Sequence, residues 1–290
     1  MKYQGIFPIV ILLLQSLLVQ SQKPAYTLFS ENGKTTRYEK MVKASAEADI
    51  VLFGELHNNP IAHWLQYELT KDLHNLLGED LMMGAEMFEA DGQLIMDEYF
   101  SGMITTEKFE DEMRLWNNYK TDYKPLLEFA KDSGLRFVAT NIPRRYANMV
   151  FKLGLDSLNS LSAEALNYMM PLPLEYDTTL ECYASLAGGG VSMGGHGSPN
   201  LRDAQAVKDA TMSHFILREL KPGKTFLHFN GAYHSDNFES MVYFIQKENP
   251  GLKLITISTV SQEHIETLEE ENVGKANFII SVPESMTTTY

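Results

Sequence analysis

One cysteine, Cys182, stands among 290 residues, so no disulfide can form within the chain. A chain of this length buries a sizeable core and needs no such staple, even in an oxidising compartment. Basic residues are also scarce: 24 Lys and Arg against 38 Asp and Glu give a formal charge of -14. That imbalance argues against nucleic acid or an anionic membrane surface as a partner. Low-complexity tracts are missing, and so is any internal repeat beyond a short Gly-x-x-His motif. Long apolar runs are confined to Ile6–Val19, behind Lys2 and broken by Pro8, Gln15 and Ser16. With the small residues Val19 and Ser21 near its end, this run reads as a secretory signal peptide, residues 1–21, cut before Gln22. The alternative is an uncleaved anchor, for which the run is short. Gln22 and Lys23 occupy the place where a lipid-bearing cysteine would stand. The expectation is an exported, soluble protein, periplasmic or extracellular, with residues 22–290 as a single domain.

What is present is an alternation of short apolar runs and amphipathic stretches. Runs at Asp49–Phe53, Leu81–Met87, Arg136–Thr140, Thr225–Phe229, Leu254–Ser258 and Asn277–Val282 read as strands. Between them, helical spacing marks Arg37–Glu47, Pro60–Leu77, Gln93–Phe100, Thr106–Met113, Pro125–Lys131, a helix from Pro143 to near Gly154, Ser157–Met170, Leu201–Leu220 and Phe238–Gln246. The apolar stripe of Pro60–Leu77 is Ile61, Trp64, Leu65, Leu69, Leu73, Leu76 and Leu77. Ala187–Asn200, with six glycines, reads as a loop. This order predicts an α/β fold, a largely parallel or mixed central sheet flanked by helices, with an additional helical portion at roughly 90–200. In such sheets ligands bind beyond the carboxyl ends of the strands.

Four predicted strands end in polar residues: Glu55 and His57, Glu86, Asn141, then Asn230 and His234. Two of these tips share Gly-x-x-His, at Gly54–His57 and Gly231–His234. With glycine at about 7% of residues, eight histidines give roughly half a chance hit, so the position of both pairs after β-rich runs carries more weight than the pattern. Two imidazoles and two carboxylates suit a divalent transition metal, with His57, Glu86 and His234 as ligands. The same set suits acid–base chemistry, with a carboxylate orienting a histidine that polarises water. The plain alternative is polar residues hydrogen-bonding helix ends.

Gly54-Glu55-Leu56-His57-Asn58-Asn59-Pro60 and Gly84-Ala85-Glu86-Met87-Phe88 resemble the ChaN-type haem-binding uptake family of the Tiki superfamily. So do Ala139–Arg144, Ala204–Met212 and Asn230–Ser235, in the family's order, over roughly residues 45–260. The resemblance implies an α/β fold, export, and haem binding for haem or iron acquisition. It also implies haem shared within a homodimer and the outer-membrane haem-uptake machinery as a partner. Erythromycin-esterase-like relatives in the superfamily use the paired Gly-x-x-His and the following Glu for metal-dependent hydrolysis. Those positions here are His57, Glu86 and His234, with Glu55 adjacent, so the alternative is a hydrolase in which all four are catalytic. Characterised ChaN-type proteins are lipoproteins, and the missing cysteine departs from that pattern.

The resemblance also implies an axial tyrosine as iron ligand, since phenolate is a hard anionic donor suited to ferric haem. Tyr119, Tyr123, Tyr176 and Tyr183 are the candidates, their alternative being core or rim aromatics. Arg144, Arg145 and His196 are candidate partners for the propionates. His196 sits in the glycine-rich loop, as part of a lid or simply solvated. His63, His74, His214 and His228 read as packing or surface residues. Gln205 and Asp209 share a helix face. Gln205 is the candidate for orienting a tip histidine or carboxylate, and the alternative is that both only tie the helix to the sheet.

Overall fold

The computed structural model describes residues 23–187 and 198–290; the signal-peptide segment and His196 lie outside them. Seven strands among the described residues form one sheet: β1 (Thr27–Ser30), β2 (Ile50–Glu55), β3 (Leu81–Glu89), β4 (Phe137–Asn141), β5 (Thr225–Gly231), β6 (Leu254–Gln262) and β7 (Phe278–Pro283). Their order is β1-β7-β6-β2-β5-β3-β4. Every neighbouring pair is parallel except β1 against β7. Among the described residues ten α-helices surround the sheet: α1 (Tyr38–Ala46), α2 (Pro60–Leu77), α3 (Gln93–Phe100), α4 (Thr106–Glu112), α5 (Lys124–Asp132), α6 (Arg144–Leu153), α7 (Ala163–Leu166), α8 (Glu181–Ala184), α9 (Leu201–Glu219) and α10 (Met241–Glu248). The α/β expectation holds. The helical portion at 90–200 is two connections, one on each side of β4.

A central parallel strand must be apolar on both faces, because helices cover both. β2 is buried at every position. Val51 and Phe53 pack with Leu65, Leu69 and Leu73 of α2. Ile50 and Leu52 pack on the other face with Phe215 and Ile216 of α9 and with Met241, Val242 and Ile245 of α10. Among the described residues no helix is long and apolar enough to cross a membrane.

Three local readings need correction. The buried face of α2 is turned relative to its apolar stripe: Trp64 and Leu76 are exposed, while His63, Gln66 and Thr70 are buried beside Leu65, Leu69 and Leu73. The polar residues lie one turn apart, and His63 and Gln66 meet the tip of β2, whose buried carboxylate needs donors. Apolar periodicity cannot register such a demand. Ser157–Met170 is not one helix, because Leu161 and Ser162 are extended and Ser162 caps α7 anew. β1 was not expected; four residues are too few for a period-2 signal, and pairing with β7 supplies what the local sequence lacks.

The tip of β2 is held close to its neighbours. A Cβ on Gly54 would stand 2.8 Å from the Ala232 Cα and 3.0 Å from the Ile257 carbonyl oxygen. Backbone atoms cannot swing aside as a flexible side chain would. Gly54→Ala should therefore lower the unfolding free energy by about 1–3 kcal/mol, read from urea denaturation. An unchanged midpoint would contradict this packing.

Candidate active site

Because β5 lies between β2 and β3, three strand ends sit side by side. β2 delivers Glu55 and, two residues on, His57. β5 runs into Gly231 and a short turn holding His234. Glu86 comes from β3, where the register against β4 shifts between Ala85 and Glu89. The strand thus continues past Glu86.

Glu86 is almost wholly buried. One oxygen accepts the Gly231 N–H at 2.8 Å, and the other lies 3.3 Å from His234 Nε2. His234 Nδ1 meets Asp209 Oδ1 of α9 at 2.5 Å, and the Tyr183 hydroxyl donates to Asp209 Oδ2 at 2.7 Å. The β2 side repeats this order. His57 Nδ1 meets Glu55 Oε1 at 2.9 Å, and the Tyr123 hydroxyl donates to that oxygen at 2.7 Å. A Cβ on Gly231 would fall 2.8 Å from His57 Nε2 and 3.6 Å from Glu86 Oε2, so His57 is turned toward Gly231 and Glu86. Only glycine admits the ring there. Two tyrosine–carboxylate–histidine series thus face one glutamate.

The two series differ in exposure. The His57 side chain is 34% exposed, with Trp116 edge-on at 4.9 Å, whereas that of His234 is 6% exposed. Burial lowers the His234 pKa, but Glu86 and Asp209 outweigh it and hold the imidazole up to about 10. Burial opposes ionisation of Glu86, yet His234, His57 and the Gly231 N–H keep it well below the usual carboxylate range. His57 is also raised: burial pulls it down, and Glu55 and Glu86 more than offset that. Burial drives Asp209 upward, and His234 and Tyr183 only partly offset it. With Nδ1–H on Glu55, the neutral His57 keeps Nε2 as its basic nitrogen. The geometry is that of a proton-transferring imidazole beside a fixed ion pair.

A further layer stands behind Glu55. Gln66 donates to Glu55 Oε2 at 2.5 Å, and His63 Nδ1 lies 3.6 Å from that oxygen. His63 Nε2 faces the His57 carbonyl at 3.1 Å and Asp122 at 3.5 Å. Asn118 donates to both the His57 carbonyl and Asp122. A π-helical turn, Tyr119–Tyr123, brings Asp122 and Tyr123 to this place. Such turns recur at functional sites, and here Pro125, which lacks an N–H, comes just after it. Sequence reasoning missed His63, Gln66, Asn118 and Asp122. For His63 and Gln66 the one signal was polar residues at helical spacing on a face that should be apolar; Asn118 and Asp122 gave none.

The family model described as haem-binding uptake, Tiki superfamily, ChaN matches residues 41–245. The chain belongs to this family. A solved structure of ChaN of Campylobacter jejuni, described as binding haem cofacially, has a TM-score of 0.64 and 17% identity, covering 88% of this chain and 96% of that one. A Bacillus cereus protein has a TM-score of 0.50 and 9% identity, covering 89% and 95%. At these identities both likenesses concern the fold alone. Among curated proteins none matches.

The expected site residues fall into separate groups. Glu55, His57, Glu86 and His234 converge. Among the described residues, however, no three His, Cys, Asp or Glu side chains are arranged to hold a metal ion. His234 pairs with Glu86 and Asp209, and His57 with Glu55. Tyr119 lies in the apolar core beside Phe88 and Phe109. Tyr123 and Tyr183 are buried donors, and burial, then Glu55 or Asp209, raises their phenols far above the usual range. None of these three presents a phenolate outward. Tyr176 is half-buried, with its hydroxyl on Asp203. Arg144 is exposed, and Arg145 pairs with Asp91. Asp209, not Gln205, orients the tip histidine. His228 is buried in the sheet on Thr140 and Asn230, and burial lowers it to about 4.

His234 carries a pH prediction. A folded pKa raised from 6.5 to about 10 gives stability that is full below the lower value and lost as pH rises toward the higher. The urea midpoint should decline across that interval, and His234→Gln should remove this component of the decline. The substitution itself should cost about 3–5 kcal/mol, because Glu86 and Asp209 lose their cation. Equal slopes in both proteins would contradict the pairing.

Proposed function

We propose that this protein is an exported haem-binding protein serving haem or iron acquisition. The observation that carries the reading is the family match over residues 41–245, which includes both Gly-x-x-His tips and Glu86. The buried tyrosines do not fit an axial-ligand role, but the rim of the site has groups that suit haem. His57 is partly exposed with its Nδ1 held by Glu55, the arrangement that makes an imidazole a good donor. Trp116 offers an aromatic edge beside it, and Arg144, which opens α6 after β4, is an exposed guanidinium available to a propionate. Bound haem supplies ferric iron and a planar apolar face. The chain's contribution is to orient the imidazole and neutralise the propionates. Export follows the expected signal peptide, with soluble periplasmic or extracellular residence. A homodimer sharing haem and delivery by outer-membrane uptake machinery complete the proposal.

Haemin added to the purified mature chain should give a saturable Soret shift, and Glu55→Gln should weaken binding about 10–100-fold. A flat titration at micromolar haemin would sink the reading.

One observation favours a second reading, hydrolysis by acid–base chemistry. The paired tyrosine–carboxylate–histidine series place His57 Nε2, the Glu86 carboxylate and the His234 cation together, which haem carriage alone does not require. Tested against a panel of chromogenic esters, the wild type should turn over at least one. His57→Ala should reduce that rate about 10²–10⁴-fold. No turnover of any ester counts against this reading.

A further inference from the structure

The segment after β7 does something the family match, ending at residue 245, does not cover. β7 runs parallel to β6, and β6 to β2, so the chain leaves β7 at the end of the sheet where the site lies. From there β2 is two strand spacings away, about 10 Å. The stretch Pro283–Thr289 reaches up to about 20 Å when extended, so it can cross that gap.

It does so with a defined anchor. Glu284 N–H donates to the Gln262 carbonyl, and Met286 N–H to that of Pro283, which turns the chain. Thr287 and Thr288 are exposed, but Thr289 is partly buried. Its N–H donates to the Asn58 carbonyl at 2.9 Å, and its hydroxyl donates to Asp122 Oδ2 at 2.9 Å. Asp122 is the residue that faces His63, and Asn58 adjoins His57. His63 and Asp122 are each 5% exposed, and Thr289 contacts Asp122 from the segment. Tyr290 ends 60% exposed. Its phenol is raised by burial, then by Glu55 and Asp122.

We propose that Pro283–Tyr290 is a strap that forms the outer wall of the site on its His57 side, with Thr289 as the clasp and Tyr290 as a contact for the ligand at the rim. The clasp keeps water from the Asp122–His63 layer behind Glu55, so that Glu55 is held by donors instead of by solvent. Tyr290, one residue past the clasp on Asn58, carries an exposed aromatic ring suited to a planar ligand at the rim. The ligand half of the proposal rests on the haem reading; the wall does not.

The full chain tests both halves. Carbethoxylation of histidines by diethyl pyrocarbonate, read by mass spectrometry, reports on the wall without any ligand. Thr289→Val keeps the size of the side chain and removes the hydroxyl, and a chain shortened to Ser285 removes the strap. Both should make His57 and His63 react severalfold faster, while buried His228 stays protected as the folding control. Unchanged rates at His57 and His63 in both variants would overturn the wall. In haemin titration, Tyr290→Ala should weaken binding about tenfold and Tyr290→Phe should bind as the wild type does. Wild-type affinity in Tyr290→Ala would overturn the contact. A flat wild-type titration would overturn the contact together with the haem reading, and the carbethoxylation rates would still decide the wall.

Discussion

The ion pair between Glu86 and His234 is the constraint around which the rest of the site is arranged. Both side chains are about 95% out of water, and an unpaired buried charge is costly. Each therefore needs every available partner. For Glu86 these are the Gly231 N–H and His234, and for His234 they are Glu86 and Asp209. Asp209 in turn needs a donor, which is why Tyr183 is buried with its hydroxyl on it. The demand runs outward from the sheet to α9 and from α9 to α8, fixing how these helices sit. β5 in the middle of the three tips makes the pairing possible, since it alone touches both β2 and β3.

On the β2 side the same chemistry is built differently. Glu55 collects Tyr123, Gln66 and His57, and a second carboxylate, Asp122, stands behind with His63 between the two. This half is open at His57 and the other half is sealed. That asymmetry gives the histidines separate parts. His234 holds charge, while His57 is the imidazole that can meet a ligand or exchange a proton with it. The proposed haem carriage and the proposed hydrolysis both start from an oriented, accessible His57. Of the tyrosines expected to bind iron, Tyr123 and Tyr183 are instead used inward, as phenolic donors that keep Glu55 and Asp209 in place, and Tyr119 packs in the apolar core.

Much of the scaffold was legible in the sequence. β2 and α2 were readable because a fully buried parallel strand is a continuous apolar run, and because Asn59-Pro60 starts a helix that Gly78 ends. The four converging residues were readable because polar groups directly after such strands fall at the ligand-binding edge of the sheet. The surrounding layers were not. His63 and Gln66 sit where α2 should be apolar, and only a buried carboxylate from another element makes them useful. Asp209 lies on the face that was recognised, but one turn beyond Gln205, the residue chosen. Tyr123 reaches Glu55 through a π-helical turn that changes which side chains share a face. Each of these depends on a partner in another element, and periodicity carries no record of it.

The site depends on His234 being a buried cation shared between Glu86 and Asp209. Nitrogen-15 NMR of the imidazoles in the full chain, tracked from neutrality toward a pH of about 10, tests this most directly. Both His234 ring nitrogens should carry protons at neutral pH and lose one only near the alkaline end. A His234 that is already a neutral tautomer at neutral pH would contradict the ion pair and the site built around it.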